Sequence, residues 1–484
     1  MIIQGIKCEW ELVIGLEIHA QLSSNSKLFS SASTGFGEEN NEQVSFIDSA
    51  MPGMLPVTNE RCVELAVRAG LALDAKINEF SMFDRKNYFY PDSPQGYQIS
   101  QFFYPIVSDG SVEITTKKGK QKTIVINRIH IEQDAGKSIH DQSPTETFID
   151  LNRVGVPLIE IVTNPDFQDP DEVEQFMKKL RNILRYIDVC DGDLEKGSMR
   201  CDANVSVKKK GANELGTRVE IKNLNSFKNI GKAIMYEANR QIELLEDEQT
   251  IVQETRLFDV NLGQTKSMRK KEEANDYRYF PDPDLLPLKI SLEYINNIRN
   301  NLPELPEDKK KRYIKEYGIT EYDSEVLTAD KNVAEFFEKI AKKIEPKLAA
   351  NWICAELFGR LNKVGMEFSN LSISSEDFGS LLQLIASNKI SGKIAKEVLD
   401  KMFETNEAPE KIVEKYNLSQ ISNIGEIEKY IDDIISANPE KVEEYRSGKD
   451  KLFGFFVGEI MKVSKGKANP QSVNEILIKK LQAN

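Results

Sequence analysis
Five short runs of this chain place carboxylates on one face of an apolar strand, and no other feature narrows the fold as much. In Val13-Ile14-Gly15-Leu16-Glu17-Ile18-His19-Ala20-Gln21-Leu22 polar and apolar residues alternate with period two. Glu17, His19 and Gln21 therefore project from one face of a strand, and Leu16, Ile18, Ala20 and Leu22 from the other. Arg128 to Lys137 repeats the device, with Arg128, His130, Glu132 and Asp134 on one side and Ile129 and Ile131 behind. Val156 to Val162 is apolar except for Glu160, and a carboxylate in such a run is costly to bury unless it is paired or binds a metal. Ser198 to Ser206 aligns Arg200, Asp202 and Asn204; Thr217 to Asn223 aligns Arg218, Glu220 and Lys222. Each run alone reads as a solvated strand face with ion pairs. Glu160 is the exception, and function is the better reading there. Together the runs can converge Glu17, His19, Glu132, Glu160, Asp202 and Glu220 on one ion, although spacing does not say which strands are neighbours.

The chain has only three histidines, so such a site is mostly oxygen-liganded, which favours magnesium over zinc. Five cysteines without a C-x-x-C pair argue against both a disulfide framework and a zinc ribbon. Arg128, Arg153, Arg200, Arg218 and Lys222 interleave with the acids, either for charge balance or to receive an anion such as a phosphoryl group. The nucleotide signatures are missing. Ala135-Gly136-Lys137-Ser138 ends like a Walker A loop, but Ile131 stands where its first glycine belongs. No G-x-S-x-G elbow and no glycine-flanked cysteine nucleophile is present.

The 484 residues are enough for two to four domains. The first part, to about residue 292, mixes β-branched runs with helical patterns at 61–73 and 171–187 and reads as α+β on a largely antiparallel sheet. The proline-punctuated stretch Tyr277 to Pro287 is expected to close it. Beyond it the pattern turns helical, with Val333, Phe336, Phe337, Ile340 and Ile344 at helical spacing and Ser391 as an N-cap. Asn469 and Pro470 are the expected N-cap and first residue of a last helix. Net charge is −13, which excludes a uniformly basic nucleic-acid binder, yet residues 441–484 carry nine Lys/Arg against five Asp/Glu. That local surplus suits RNA backbone contact as well as it suits a solvated helix face. No apolar run approaches a membrane span and the first residues lack a signal-peptide pattern, so a cytoplasmic location is expected.

At these strands the sequence resembles the GatB family, the B subunits of the heterotrimeric aspartyl/glutamyl-tRNA amidotransferase. The similar stretches are Val13–Leu22, Arg85-Lys-Asn-Tyr-Phe-Tyr-Pro-Asp-Ser-Pro-Gln-Gly-Tyr-Gln-Ile-Ser100, His130–Lys137, Asn152–Val162, Gly197–Val205, Val219-Glu-Ile-Lys-Asn-Leu-Asn-Ser-Phe227, Gly448-Lys-Asp-Lys-Leu-Phe-Gly454 and Gly458–Asn474. They run over nearly the whole chain. The resemblance implies a cradle domain over 1–292 with an ATP and Mg2+ site, a helical domain over 293–410 and a tRNA-binding helical tail over 411–484. It implies phosphorylation of the side-chain carboxylate of Glu-tRNA(Gln) or Asp-tRNA(Asn), then amidation by ammonia channelled from a glutaminase A subunit, with a small C subunit joining the two. It places metal roles on Glu17, His19, Glu132, Glu160, Asp202 and Glu220, with the chemistry centred on the first four. It places channel or substrate roles on Lys86, Arg153, Arg200 and Lys222. Lys462, Lys465 and Lys467 are the tail lysines expected to meet tRNA. Gln133 departs from the family pattern, where a second carboxylate is common. The competing reading is a tRNA-docking scaffold whose acids hold a structural ion.

Overall fold
The structure is a computed structural model; it describes residues 1–224, 226–270, 277–418, 424–464 and 467–482. The chain divides into two compact units, Met1–Leu305 and Pro306–Asn484. The first is α+β around a ten-stranded sheet, as expected. From one edge its strands run Gln264–Lys270, Glu254–Asp259, Val219–Leu224, Met199–Lys209, Glu9–Gln21, Pro157–Thr163, Gln121–Gln133, Val107–Thr115 and Lys76–Ile77, with Ile2–Gln4 paired to the start of Glu9–Gln21. Among the described residues the one parallel pair joins Val219–Leu224 to Glu254–Asp259. All five acidic runs are strands, and they are consecutive in the sheet.

One face of this sheet is the core. Leu12, Ile14, Leu16, Ile18 and Ala20 are buried with Phe176, Leu180 and Leu184 of helix Pro170–Tyr186 and Ile230 and Ile234 of helix Phe227–Glu246. The first of these helices forms as its sequence dictates: Asp169 caps the Asp171 amide, Pro170 opens the first turn, and Asp171 and Glu172 favour its positive end. Its stripe of Val173, Phe176, Met177, Leu180, Ile183 and Leu184 follows helical spacing, which buries one side only. Helix Glu60–Ala72 lies where the sequence pattern puts it. Helix Phe227–Glu246, capped by Ser226, is an element the pattern did not announce. Because helices take the apolar face, the polar face that carries the acids is left to a smaller layer. There Asp84–Asn87 pairs with Tyr97–Ser100, and Phe280–Pro281 returns to pair with Asp84–Asn87, so the Tyr277–Pro287 stretch does close onto this unit. Helix Leu292–Asn300 adds Ile295 and Ile298 to the same core.

The second unit is helical and holds two cores. One joins residues from Tyr313 to Leu418, including Val333, Phe336, Phe337, Ile340 and Ile344. Helix Gly392–Thr405 there is capped by Ser391, whose hydroxyl accepts from the Ile394 amide. The other core joins residues from Ile427 to Leu481. Its last helix, Pro470–Gln482, is capped by Asn469, which accepts from the Gln471 and Ser472 amides. Among the described residues no helix is long and apolar enough to cross a membrane.

Candidate metal and phosphoryl site
The antiparallel register brings the predicted acids together. On the central strand Glu160 lies directly opposite His19 on one side and His130 on the other. Side chains opposite one another in such pairs are near neighbours. His19 Nε2 is 3.9 Å from both Glu132 Oε2 and Glu160 Oε2. Ligand atoms of His19, Glu132 and Glu160 all lie within 4.8 Å of one another, the spacing of groups that share a cation. The donor set of one imidazole and two carboxylates fits a hard divalent ion.

His130 holds this pair of carboxylates. Its Nε2 is 2.6 Å from Glu160 Oε2 and 3.3 Å from Glu132 Oε1. Burial works against its charged form, but Glu160 and Glu132 outweigh burial and raise its pKa to about 9. Burial likewise acts to raise both carboxyls; His130 and Lys86 overcome it, and Glu160 is held well below the usual carboxylate range. Alternation along the sequence puts His130 on the right strand face but gives it no role. The signal was there: His130-Ile-Glu132 mirrors Glu17-Ile-His19 on a strand two positions away in the sheet. Gln98 carries no such signal. Its amide donates to Glu132 Oε2 and to the Gln133 carbonyl, while Gln133 donates to Gln95, so the neutral residue at 133 is used within the fold.

The other three acids form an adjoining group. Asp202 lies opposite Glu17 in the register, and Glu220 stands on the next strand. Glu17 accepts from the Asn204 amide at 2.8 Å, and Glu220 accepts from the Thr255 hydroxyl at 2.8 Å. Lys222 Nζ lies 2.5 Å from Asp202 Oδ2 and 3.2 Å from Glu220 Oε1. Two arginines meet on Asp134, which the strand end at Gln133 leaves in a loop: Arg200 Nη2 is 3.0 Å and Arg153 Nε 3.4 Å from its Oδ2. Arg153 also donates to the Ala135 and Gly136 carbonyls. Arg218 falls just before its strand and is exposed.

Lys86 stands in the smaller layer, with its ammonium 5.0 Å from the centre of the Tyr277 ring. Burial disfavours that charge, but Glu132 leads the groups that keep its pKa above the ordinary lysine value. Of the tail lysines, Lys462 is exposed beside Glu459 at 3.6 Å, and Lys467 donates to the Asn417 carbonyl at 2.6 Å. Lys465 lies outside the described residues.

A family model described as the GatB/GatE catalytic domain matches residues 12–296, and one described as the GatB domain matches residues 335–481. The chain is 60% identical over 481 residues to a Rickettsia felis protein, the B subunit of aspartyl/glutamyl-tRNA(Asn/Gln) amidotransferase, covering 99% of each chain. It is 58% identical over 481 residues to the Rickettsia typhi protein of the same name, again over 99% of each, and 58% identical over 479 residues to that of Rickettsia canadensis, at the same coverage.

Proposed function
The chain belongs to the GatB family of amidotransferase B subunits, and on that premise we propose how its first unit works. It is a subunit of a tRNA-dependent amidotransferase, a ligase of several subunits. Its substrates are Glu-tRNA(Gln), Asp-tRNA(Asn) or both, and its first unit phosphorylates their side-chain carboxylate with ATP. The observation that carries this reading is the convergence of His19, Glu132 and Glu160 from three neighbouring strands within 4.8 Å. These three would hold Mg2+, with Glu17, Asp202 and Glu220 as the further acids beside them. When bound, Mg2+ neutralises charge on the transferring phosphoryl group. Arg153 and Arg200, held in place by Asp134, receive phosphate oxygens, because a guanidinium offers several donors to an anion. Lys86, beside Glu132, lines the inner end of the ammonia path.

Ammonia comes from a partner, an amidase A subunit joined through a small C subunit. Support lies in the thiols: burial pushes Cys62, Cys190 and Cys354 up to about 12 and Cys201 well above the usual value, the reverse of an activated nucleophile. The reaction is placed in the cytoplasm, where aminoacylated tRNA is made and used. The test is amidation of each mischarged tRNA by the purified complex supplied with free ammonium. Product is expected only with ATP and Mg2+, and the single chain given glutamine should release no ammonia. Amidation retained with free ammonium after loss of the cradle acids would leave the scaffold reading standing.

The tail should bind tRNA. We place the cut after residue 418, because Ile412 and Leu418 pack with the preceding core. Removing residues 419–484 from the complex is expected to weaken tRNA binding and to spare ATP and Mg2+ binding. Every phosphate that the tail no longer neutralises should flatten the log–log salt dependence by about 0.7–0.9 unit. Equal affinity and slope for both forms would make the positive surplus of 441–484 an ordinary solvated surface.

A further inference from the structure
The smaller layer over the acids begins with a fully buried carboxylate, Asp84. Its Oδ2 accepts from the Phe103 amide at 3.0 Å, while its Oδ1 is buried and has no partner. His130 on the sheet below is half satisfied in the same way. Its Nε2 faces both Glu160 and Glu132, so that nitrogen carries a proton; a bare nitrogen there would meet two anionic oxygens. Its Nδ1 is buried and unpartnered. Among the described residues, Asp84 Oδ1 is the one buried carboxylate oxygen without a partner, and His130 Nδ1 the one buried ring nitrogen. Buried polar atoms are nearly always satisfied, often by an ordered water that joins two of them. The register brings these two to the same place. Asp84 pairs with Ser100, and on either side of Ser100 the Gln98 amide donates to Glu132 Oε2 and Gln101 accepts from the Ile131 amide. Those contacts lay this stretch across His130-Ile131-Glu132, with Asp84 on the strand beside it. Burial pushes the Asp84 carboxyl up, and the Phe103 and Phe102 amides and the His130 charge act against burial.

We propose that Asp84 is the positioning residue of His130: one buried water accepts the Nδ1 proton and donates to Asp84 Oδ1. Asp84, the water, His130 and Glu160 then form one continuous line. A carboxylate behind an imidazole fixes its tautomer and the tilt of its ring, and so fixes whatever the other ring nitrogen holds. Here that nitrogen holds Glu160 and Glu132. Asp84 therefore acts on the site without touching it, by aiming the imidazole that aims the two carboxylates. This rests on the reading that those carboxylates serve phosphoryl transfer.

The experiment uses the full chain in complex with its partner subunits, given ATP, Mg2+ and saturating free ammonium. His130→Gln keeps a donor for the two carboxylates and deletes Nδ1. Asp84→Asn keeps the side chain's shape and removes its charge. Each is expected to lower kcat for amidation about 10–100-fold while KM for the mischarged tRNA stays near the wild-type value. In the double variant the two losses should not multiply, because both break the same line. A crystal structure of the wild-type complex that resolves ordered water should show one water within about 3 Å of both Asp84 Oδ1 and His130 Nδ1. Circular dichroism shows which variants fold, and the crystal structure needs none of them. A folded Asp84→Asn with wild-type kcat, losses that multiply in the double variant, or no water joining the two atoms overturns the proposal. A wild-type complex that forms no amide under these conditions removes instead the reading of Glu132 and Glu160 as part of a phosphoryl site, and the water then decides the role of Asp84 alone.

Discussion

Glu160→Ala is expected to abolish ATP-dependent amidation by the complex even when free ammonium is supplied. Glu160 is the carboxylate with most to lose. It faces His19 and His130 across two strand pairs, and its oxygen lies 2.6 Å from one imidazole and 3.9 Å from the other. Truncation removes one of the three proposed ion ligands and releases His130 from its closer partner. Losing a preorganised electrostatic contact to a developing charge costs about 10²–10³ in rate. The loss should fall on turnover rather than on tRNA affinity, because the tRNA contact proposed above lies in the tail, elsewhere in the sequence. Mn2+ binding at His19, Glu132 and Glu160 should fall in parallel, and glutamine hydrolysis by the proposed amidase partner should persist. Transfer within a few-fold of the wild type, with ammonium saturating, would remove Glu160 from the site.

Lys27→Met should cost more stability than any surface change in the chain, about 3–5 kcal/mol. Lys27 and Asp48 are both buried, with Nζ 3.1 Å from Asp48 Oδ2. Nζ also donates to the Gln43 carbonyl, and Asp48 accepts from the Ser30 hydroxyl and the Ser45 amide. This cluster pins the segment between Glu9–Gln21 and helix Glu60–Ala72 to the fold. Gly155 fits against it at φ +78°, where a Cβ would come within 2.8 Å of Asp48 Oδ1. Methionine fills the lysine's space but leaves a buried carboxylate without a counter-charge. That penalty is a large fraction of a typical domain's stability of about 5–15 kcal/mol. Lys27→Met/Asp48→Asn should recover much of it, since the remaining side chain is neutral and keeps hydrogen-bond partners. The check is the urea transition of the sheet-bearing unit for wild type, single and double variants. A single variant within about 1 kcal/mol of wild type would mean the carboxylate finds solvent or protonates at little cost.

Side-chain alternation along a strand and apolar spacing along a helix are local properties, and the amino-acid sequence alone carries both. A pleat sends residues two apart to the same face whatever the neighbours are, so Glu17 with His19 and His130 with Glu132 fall on their correct faces from alternation alone. Caps are equally local: Ser391 and Asn469 reach amides two or three residues ahead. The tail's positive surplus is likewise a matter of counting. Strand ends are less legible, because pairing rather than pattern decides them; Asp134 leaves its strand to clamp Arg153 and Arg200.

What only the tertiary structure decided is which strand lies beside which. Residues 9–21 lie between 157–163 and 199–209, and those pairings span well over a hundred residues of chain. They are selected by burying the apolar faces under helices 170–186 and 227–246, an energy no local window contains. That order splits the six expected ligands into two groups, brings His130 onto Glu160 and sets Lys222 between Asp202 and Glu220. A lysine's partners depend on where its long side chain finds opposite charge within a few ångströms. That distance exists only once the sheet has formed.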